Sequence, residues 1–88
     1  MANVLPNDYE FQKRVAAWNR ASTVVGYDAR IYRKDSAGFW IKWSDYGNRD
    51  AEYGWEVDHI HPLSKGGRDA LDNVQALHWR ANVAKSDK

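Results

Sequence analysis

Residues 56–67 read EVDHIHPLSKGG. Begun one residue earlier, at Trp55, the stretch alternates. Trp55, Val57, His59 and His61 fall on one side, and Glu56, Asp58 and Ile60 on the other. Strand side chains point to opposite faces with period two, so residues 55–61 are expected to form a strand. Pro62 lacks an N–H and ends it. Residues 63–72, LSKGGRDALD, form a loop in which Gly66 and Gly67 are available for positive φ. Asn73 to Leu77, NVQAL, can return as a second short strand. HWRANVAKSDK, from His78, has the composition of a terminal helix and would place His78 and Asn82, four apart, on one face. The expected order is strand, loop, strand, helix.

Upstream, residues 7–21, NDYEFQKRVAAWNRA, read as a helix that follows Pro6. Asn7 and Glu10 have capping-box spacing. Phe11, Val15 and Trp18 recur at helical spacing and are expected to face the core. Residues 27–54 mix Arg30, Arg33, Lys34, Lys42 and Arg49 with Tyr32, Phe39, Trp40, Trp43 and Tyr46, punctuated by Ser36, Gly38, Gly47 and Gly54. Short turns and one strand or helical turn around Phe39 to Trp43 are expected there. Such a surface can hold phosphates and stack bases; equally, its aromatics can be core and its charges a solvated face.

The chain has 88 residues, a net charge of +1 and no Cys. That length suits one domain with a limited core. Disulfides and thiolate zinc sites are excluded. Five Trp, five Tyr and two Phe must supply much of the apolar area. The near-neutral charge excludes a strongly basic tail but not a local basic face. The first residues, MANVLPNDYE, have neither a basic n-region nor an apolar h-region, and no apolar run is long enough to span a membrane. The expectation is a soluble, cytoplasmic protein without a membrane partner.

Asp58, His59, His78 and Asn82 together have a chemical logic. A Mg²⁺-like ion takes oxygen ligands, which Asp58 and Asn82 could offer, and keeps several waters. It would neutralise charge on a phosphodiester's transition-state oxygens. An imidazole beside it can take a proton from water near neutral pH.

VDHIHPLSKGG followed by DNVQALHWRANVAKSD resembles the HNH endonuclease family. The likeness covers Trp55 to Asp87 and includes the Asp-His pair, the Pro, the Gly-Gly loop, the Asp-Asn and the helical Asn-x-x-Lys. It implies an α+β fold: a ββα-metal (His-Me finger) motif over 55–88 with an N-terminal helix packed on it, and residues 1–54 as its support within one domain of residues 1–88. By resemblance His59 is the general base, Asp58 and Asn82 hold a divalent metal, Asn73 is a structural orienter, and Lys85 is a phosphate contact. The ion would be Mg²⁺, with Mn²⁺ or another transition metal as alternatives. Many relatives have Cys at position 78 and again at 81 for a structural zinc. Here these are His78 and Ala81, so no structural zinc is expected, and His78 becomes a second metal candidate.

The bland readings stand beside these. Asp58 could be an exposed strand acid, and Asn82 could belong to a solvated helix face. His61 matches no catalytic position of the family and is read as a supporting or phosphate contact. Trp79 is read as packing. Lys65, Arg68 and Arg80 are DNA-contact candidates, with solvated surface as the alternative. The implied function is metal-dependent cleavage of double-stranded DNA, nicking with low sequence preference, with binding through the minor groove. The partners would be DNA and either a second copy or a larger phage or restriction machine. The alternatives are an HNH-like accessory DNA-binding subunit and an RNA-cleaving toxin.

Overall fold

The computed structural model describes residues 8–86. Pro6 and the cap expected at Asn7 lie outside them. Helix α1 spans Asp8–Arg20. Strands β1 (Tyr32–Lys34) and β2 (Trp40–Lys42) follow, then a 3₁₀ turn over Trp43–Asp45. Strand β3 is Trp55–His59, and two further 3₁₀ turns, Leu63–Lys65 and Leu71–Asn73, shape the loop that leads to β4 (Val74–His78). Helix α2 spans Trp79–Ser86. The architecture is α+β, with two antiparallel hairpins and two helices. No helix among the described residues is long and apolar enough to cross a membrane.

The second hairpin fulfils the expected strand, loop, strand, helix order, with shifts at its joints. β3 stops at His59 rather than His61. In register, Trp55 faces His78 at one end and His59 faces Val74 at the other. His78 therefore closes β4 and is not part of the helix, which begins one residue later. Its N–H donates to Asp35 Oδ2 (2.8 Å), a bond that holds the strand's last residue in place.

Asp35 is the hub of the first hairpin. It is almost completely buried. Its Oδ1 accepts from the N–H groups of Ala37 (3.0 Å) and Phe39 (2.7 Å), which builds the β1–β2 turn. A buried carboxylate is tolerable only when such donors satisfy it. The strand expected near Phe39 is thus β2, and the helical turn follows it. β1 is an additional partner.

The core centres on Trp55, which is wholly buried and lies against Trp18 (5.2 Å), Trp43 (5.8 Å) and Tyr46 (4.9 Å between ring centroids). Ala17, Ile41, Val74 and Ala76 complete it. These separations fall in the favourable range for aromatic pairs. Helix α1 crosses the β3–β4 hairpin. Trp18 faces the core as expected and Val15 is half-buried, but Phe11 is 49% exposed and sits edge-on to Trp43. Lys13 and Ala17 take the inner face, because Lys13 has an anion to meet there.

The loop needs both glycines, for different reasons. Gly66 adopts φ +90°. Gly67 does not. A Cβ on Gly67 would collide with the carbonyls of His61 and Pro62, so its place is set by close backbone approach.

Candidate active site

The site grows from the alternation of β3. Glu56 and Asp58 share the face that α2 covers. Asp58 Oδ2 accepts from Lys85 Nζ (2.6 Å) and from Gln75 Nε2 (3.0 Å). Lys85 Nζ also reaches the His59 carbonyl (2.9 Å). Glu56 is held by both arms of Arg49 (2.6 and 2.9 Å) and accepts from Asn82 Nδ2 (2.7 Å). A carboxylate only accepts, so Asn82 must present its nitrogen to Glu56, which leaves its amide oxygen outside that contact. Arg49 holds the Glu56 carboxyl below its ordinary range, ensuring that acceptor role.

His59 ends β3, where its ring meets the loop. Its Nε2 lies 2.9 Å from Asp69 Oδ1. An ionised carboxylate requires Nε2 to donate, so neutral His59 keeps its lone pair on Nδ1. Asp69 is in turn gripped by α1: Lys13 Nζ lies 3.2 Å from Oδ1, and the Tyr9 hydroxyl donates to the Asp69 carbonyl (2.8 Å). The His59 hydrogen bond first, and then Lys13, hold the Asp69 carboxyl below the usual carboxylate range. Lys13 is raised, chiefly by Glu10 (2.9 Å) and further by Asp69.

Asn73 ties the loop shut. Its Oδ1 accepts from the His61 N–H (2.8 Å), and its Nδ2 donates to the carbonyls of His61 (3.0 Å) and Arg68 (2.7 Å). His61 Nε2 donates to the Lys65 carbonyl (3.0 Å), a supporting contact within the same loop. Asp58, His59, Pro62, Leu63, Lys65 and Lys85 line a cleft of about 610 Å³ between loop and helix.

The structure thus brings Asp58, His59, Lys65 and Lys85 to one cleft, with Asn82 one helical turn from Lys85. Arg68 is exposed on the loop. His78 is not brought there. It lies at the other end of the hairpin, four strand steps or roughly 13 Å away along β3. It is buried between Phe39 and Trp79, donating from Nε2 to the Glu52 carbonyl (2.6 Å) and accepting the Arg80 N–H at Nδ1 (3.1 Å). Neither nitrogen is free for a metal. The i,i+4 relation to Asn82 dissolves because His78 is a strand residue. Trp79 is a packing residue, its indole donating to the Ala51 carbonyl (3.2 Å). Arg80 lies over the Trp79 ring, beside His78 and away from the cleft.

A family model described as HNH endonuclease matches residues 42–88, more than half of the chain. This chain belongs to the HNH endonuclease family. Searches of curated proteins and of solved structures each returned no match. The HNH match begins at Lys42, upstream of β3, and so takes in the 3₁₀ turn and the loop that carries Arg49.

HNH nucleases act with a divalent metal, and the donors here suit a hard cation. Among the described residues no cluster of three or more His, Cys, Asp or Glu side chains could hold an ion. One oxygen of Asp58 is taken by Lys85 and Gln75. Its other oxygen and the Asn82 amide oxygen accept no hydrogen bond from the described residues. Carboxylate and amide oxygens are the donor type that a hard cation takes, water filling its remaining positions.

Proposed function

We propose that this protein is an HNH nuclease that hydrolyses DNA phosphodiester bonds one strand at a time, with His59 as general base. One observation carries the reading: Asp69 accepts the hydrogen bond that His59 Nε2–H donates (2.9 Å), so Nδ1 keeps the lone pair of a base in a residue that lines the Asp58–Lys85 cleft. Water gives its proton to Nδ1 as its oxygen bonds to phosphorus. The P–O3′ bond breaks, and the departing oxygen takes a proton from solvent, leaving a 5′-phosphate and a 3′-hydroxyl. Lys85 and Lys65 hold phosphate oxygens, and Asn73 keeps the loop closed. A divalent ion held by Asp58 and Asn82 would supply charge neutralisation at the phosphate and the leaving oxygen. A small module offers few base-reading groups, so sequence preference is low and phosphate contacts dominate affinity. The minor groove of double-stranded DNA is the expected seat.

Supercoiled-plasmid cleavage with Mg²⁺, Mn²⁺ or EDTA, beside His59→Ala, tests this. Nicking that needs metal and falls about 10²–10⁴-fold in the variant is expected, the span of a general base. Nicking that survives His59→Ala sinks the assignment. One contact favours a second reading, an HNH-like DNA-binding subunit without cleavage of its own: Lys85 Nζ lies 2.6 Å from Asp58 Oδ2 and neutralises the carboxylate that a metal would need. Folded protein that binds DNA but fails to cut it with any of the metals would establish that instead.

A further inference from the structure

Eight of the twelve Trp, Tyr and Phe side chains fall into two groups of four. Trp18, Trp43, Tyr46 and Trp55 build the core. Tyr27, Tyr32, Trp40 and Tyr53 form a separate cluster on the first hairpin. Tyr27 and Trp40 lie 4.8 Å apart, and Tyr32 stands nearly perpendicular to Trp40 (6.4 Å) and to Tyr53 (6.1 Å). These four side chains line an open recess of about 270 Å³. A second recess of about 180 Å³ shares the Trp40–Tyr53 wall and is completed by Phe39, Glu52, His78 and Arg80. Tyr27 is 54% exposed and Phe39 41%.

We propose that these two recesses receive successive unpaired bases of a nucleic-acid strand, apart from the His59 cleft. The inference rests on the nuclease reading and adds to it that part of the substrate is single-stranded. Aromatic faces stack any base, so such a site is tolerant of sequence. Charge selects this occupant. Lys34 Nζ lies 5.0 Å over the Trp40 ring, Lys42 Nζ lies 5.7 Å over Tyr32, and Arg80 borders the second recess, against one carboxylate, Glu52. Those cations suit the phosphates that link two bases. They oppose a quaternary ammonium, the other guest that perpendicular rings accept.

Position fits as well. Tyr53 and Arg80 flank the Trp55–His78 end of the second hairpin, whereas His59 ends β3. The roughly 13 Å of strand between the two ends equals about four stacked nucleotide rises of ~3.4 Å. The bases held here would lie several nucleotides from the bond that is cut. Arg80, remote from the cleft, has a phosphate to meet at this second place.

The test is fluorescence anisotropy of a labelled oligothymidylate and of a blunt duplex of equal length, in EDTA so that neither is cut. The wild type should bind the single strand. Tyr27→Ala and Phe39→Ala alter exposed rings and should each raise Kd about tenfold without changing the salt slope, as loss of a stacked base does. Lys34→Ala should instead reduce the slope by about 0.7, one phosphate contact on a single strand. Wild-type affinity in both ring variants, or competition by tetramethylammonium, overturns the proposal. Plasmid nicking alongside unaffected ring variants would overturn it and leave the nuclease standing. Binding that depends on Tyr27, with no nicking under any metal, would support the recesses and overturn the nuclease.

Discussion

Lys85 sets the terms on which Asp58 can meet a metal. Its ammonium lies 2.6 Å from a carboxylate whose side chain is 11% exposed, while its own is 36% exposed, so solvent screens the pair in part. Lys85→Ala removes that resident cation. The affinity for Mg²⁺ or Mn²⁺, measured by titration calorimetry, should rise about tenfold, the lower end of what a hydrogen bond to a charged group contributes. Cleavage should fall at the same time through the lost phosphate contact; unchanged metal affinity would sink the idea that Lys85 competes for Asp58. If His59 is the base, Asp69 acts through it, by the hydrogen bond at Nε2. Asp69→Ala should lower the cleavage rate about 10–100-fold, as loss of an orienting partner commonly does. Asp69→Asn, still able to accept from Nε2–H, should keep most of it. The ¹⁵N shifts of His59 should report a mixed tautomer only in the alanine variant, a signature that lost stability alone would not produce. Asp69 was not legible in the sequence: between Arg68 and Ala70 it reads as an ordinary turn acid, and its partners Tyr9 and Lys13 are 60 and 56 residues away. Asp58, His59 and Asn73 were legible because their spacing is local to one hairpin.

At the level of elements, β3, the loop and β4 could be read because each is marked where it stands: alternation in WEVDHIH, a stop at Pro62, two glycines for the turn. β1 could not. Its three residues carry no periodicity, and the turn that pairs it with β2 is made by the side chain of Asp35. The boundary between β4 and α2 was misread at His78 for a related reason. HWRANVAKSDK is helical by composition, yet the partners that keep His78 extended and buried are Asp35 and Glu52, 43 and 26 residues away. The loop itself should be intolerant at one point. Gly67→Ala drives a methyl into two carbonyls that cannot swing aside. The expected cost is about 1–3 kcal/mol, as for overpacking. The melting temperature should then fall by roughly 4–8 °C per kcal/mol. Differential scanning fluorimetry reads the fall, and an unchanged midpoint would mean that the loop shifts freely.

Across the whole molecule, the contact between α1 and Asp69 links global stability to acid. The folded Asp69 carboxyl titrates below its ordinary value of 3.8, so its contribution is present above that value and lost as pH falls through the lowered one. The melting-temperature gap between wild type and Asp69→Asn should be present at about pH 5 and close as pH drops below about 4. A gap that persists in strong acid would mean that Asp69 stabilises by shape and not by charge. The same contact bears on portability. A designer wishing to graft the proposed chemistry onto another scaffold would be tempted to lift Trp55–Ser86, which holds His59 as the proposed base, Asp58 and the helix. That cutting would leave the orienter of the base behind in part, because Tyr9 and Lys13, which fix Asp69, belong to the first helix. The unit to transplant would be the hairpin and its helix together with a clamp whose residues precede Asp69 by 60 and 56 positions.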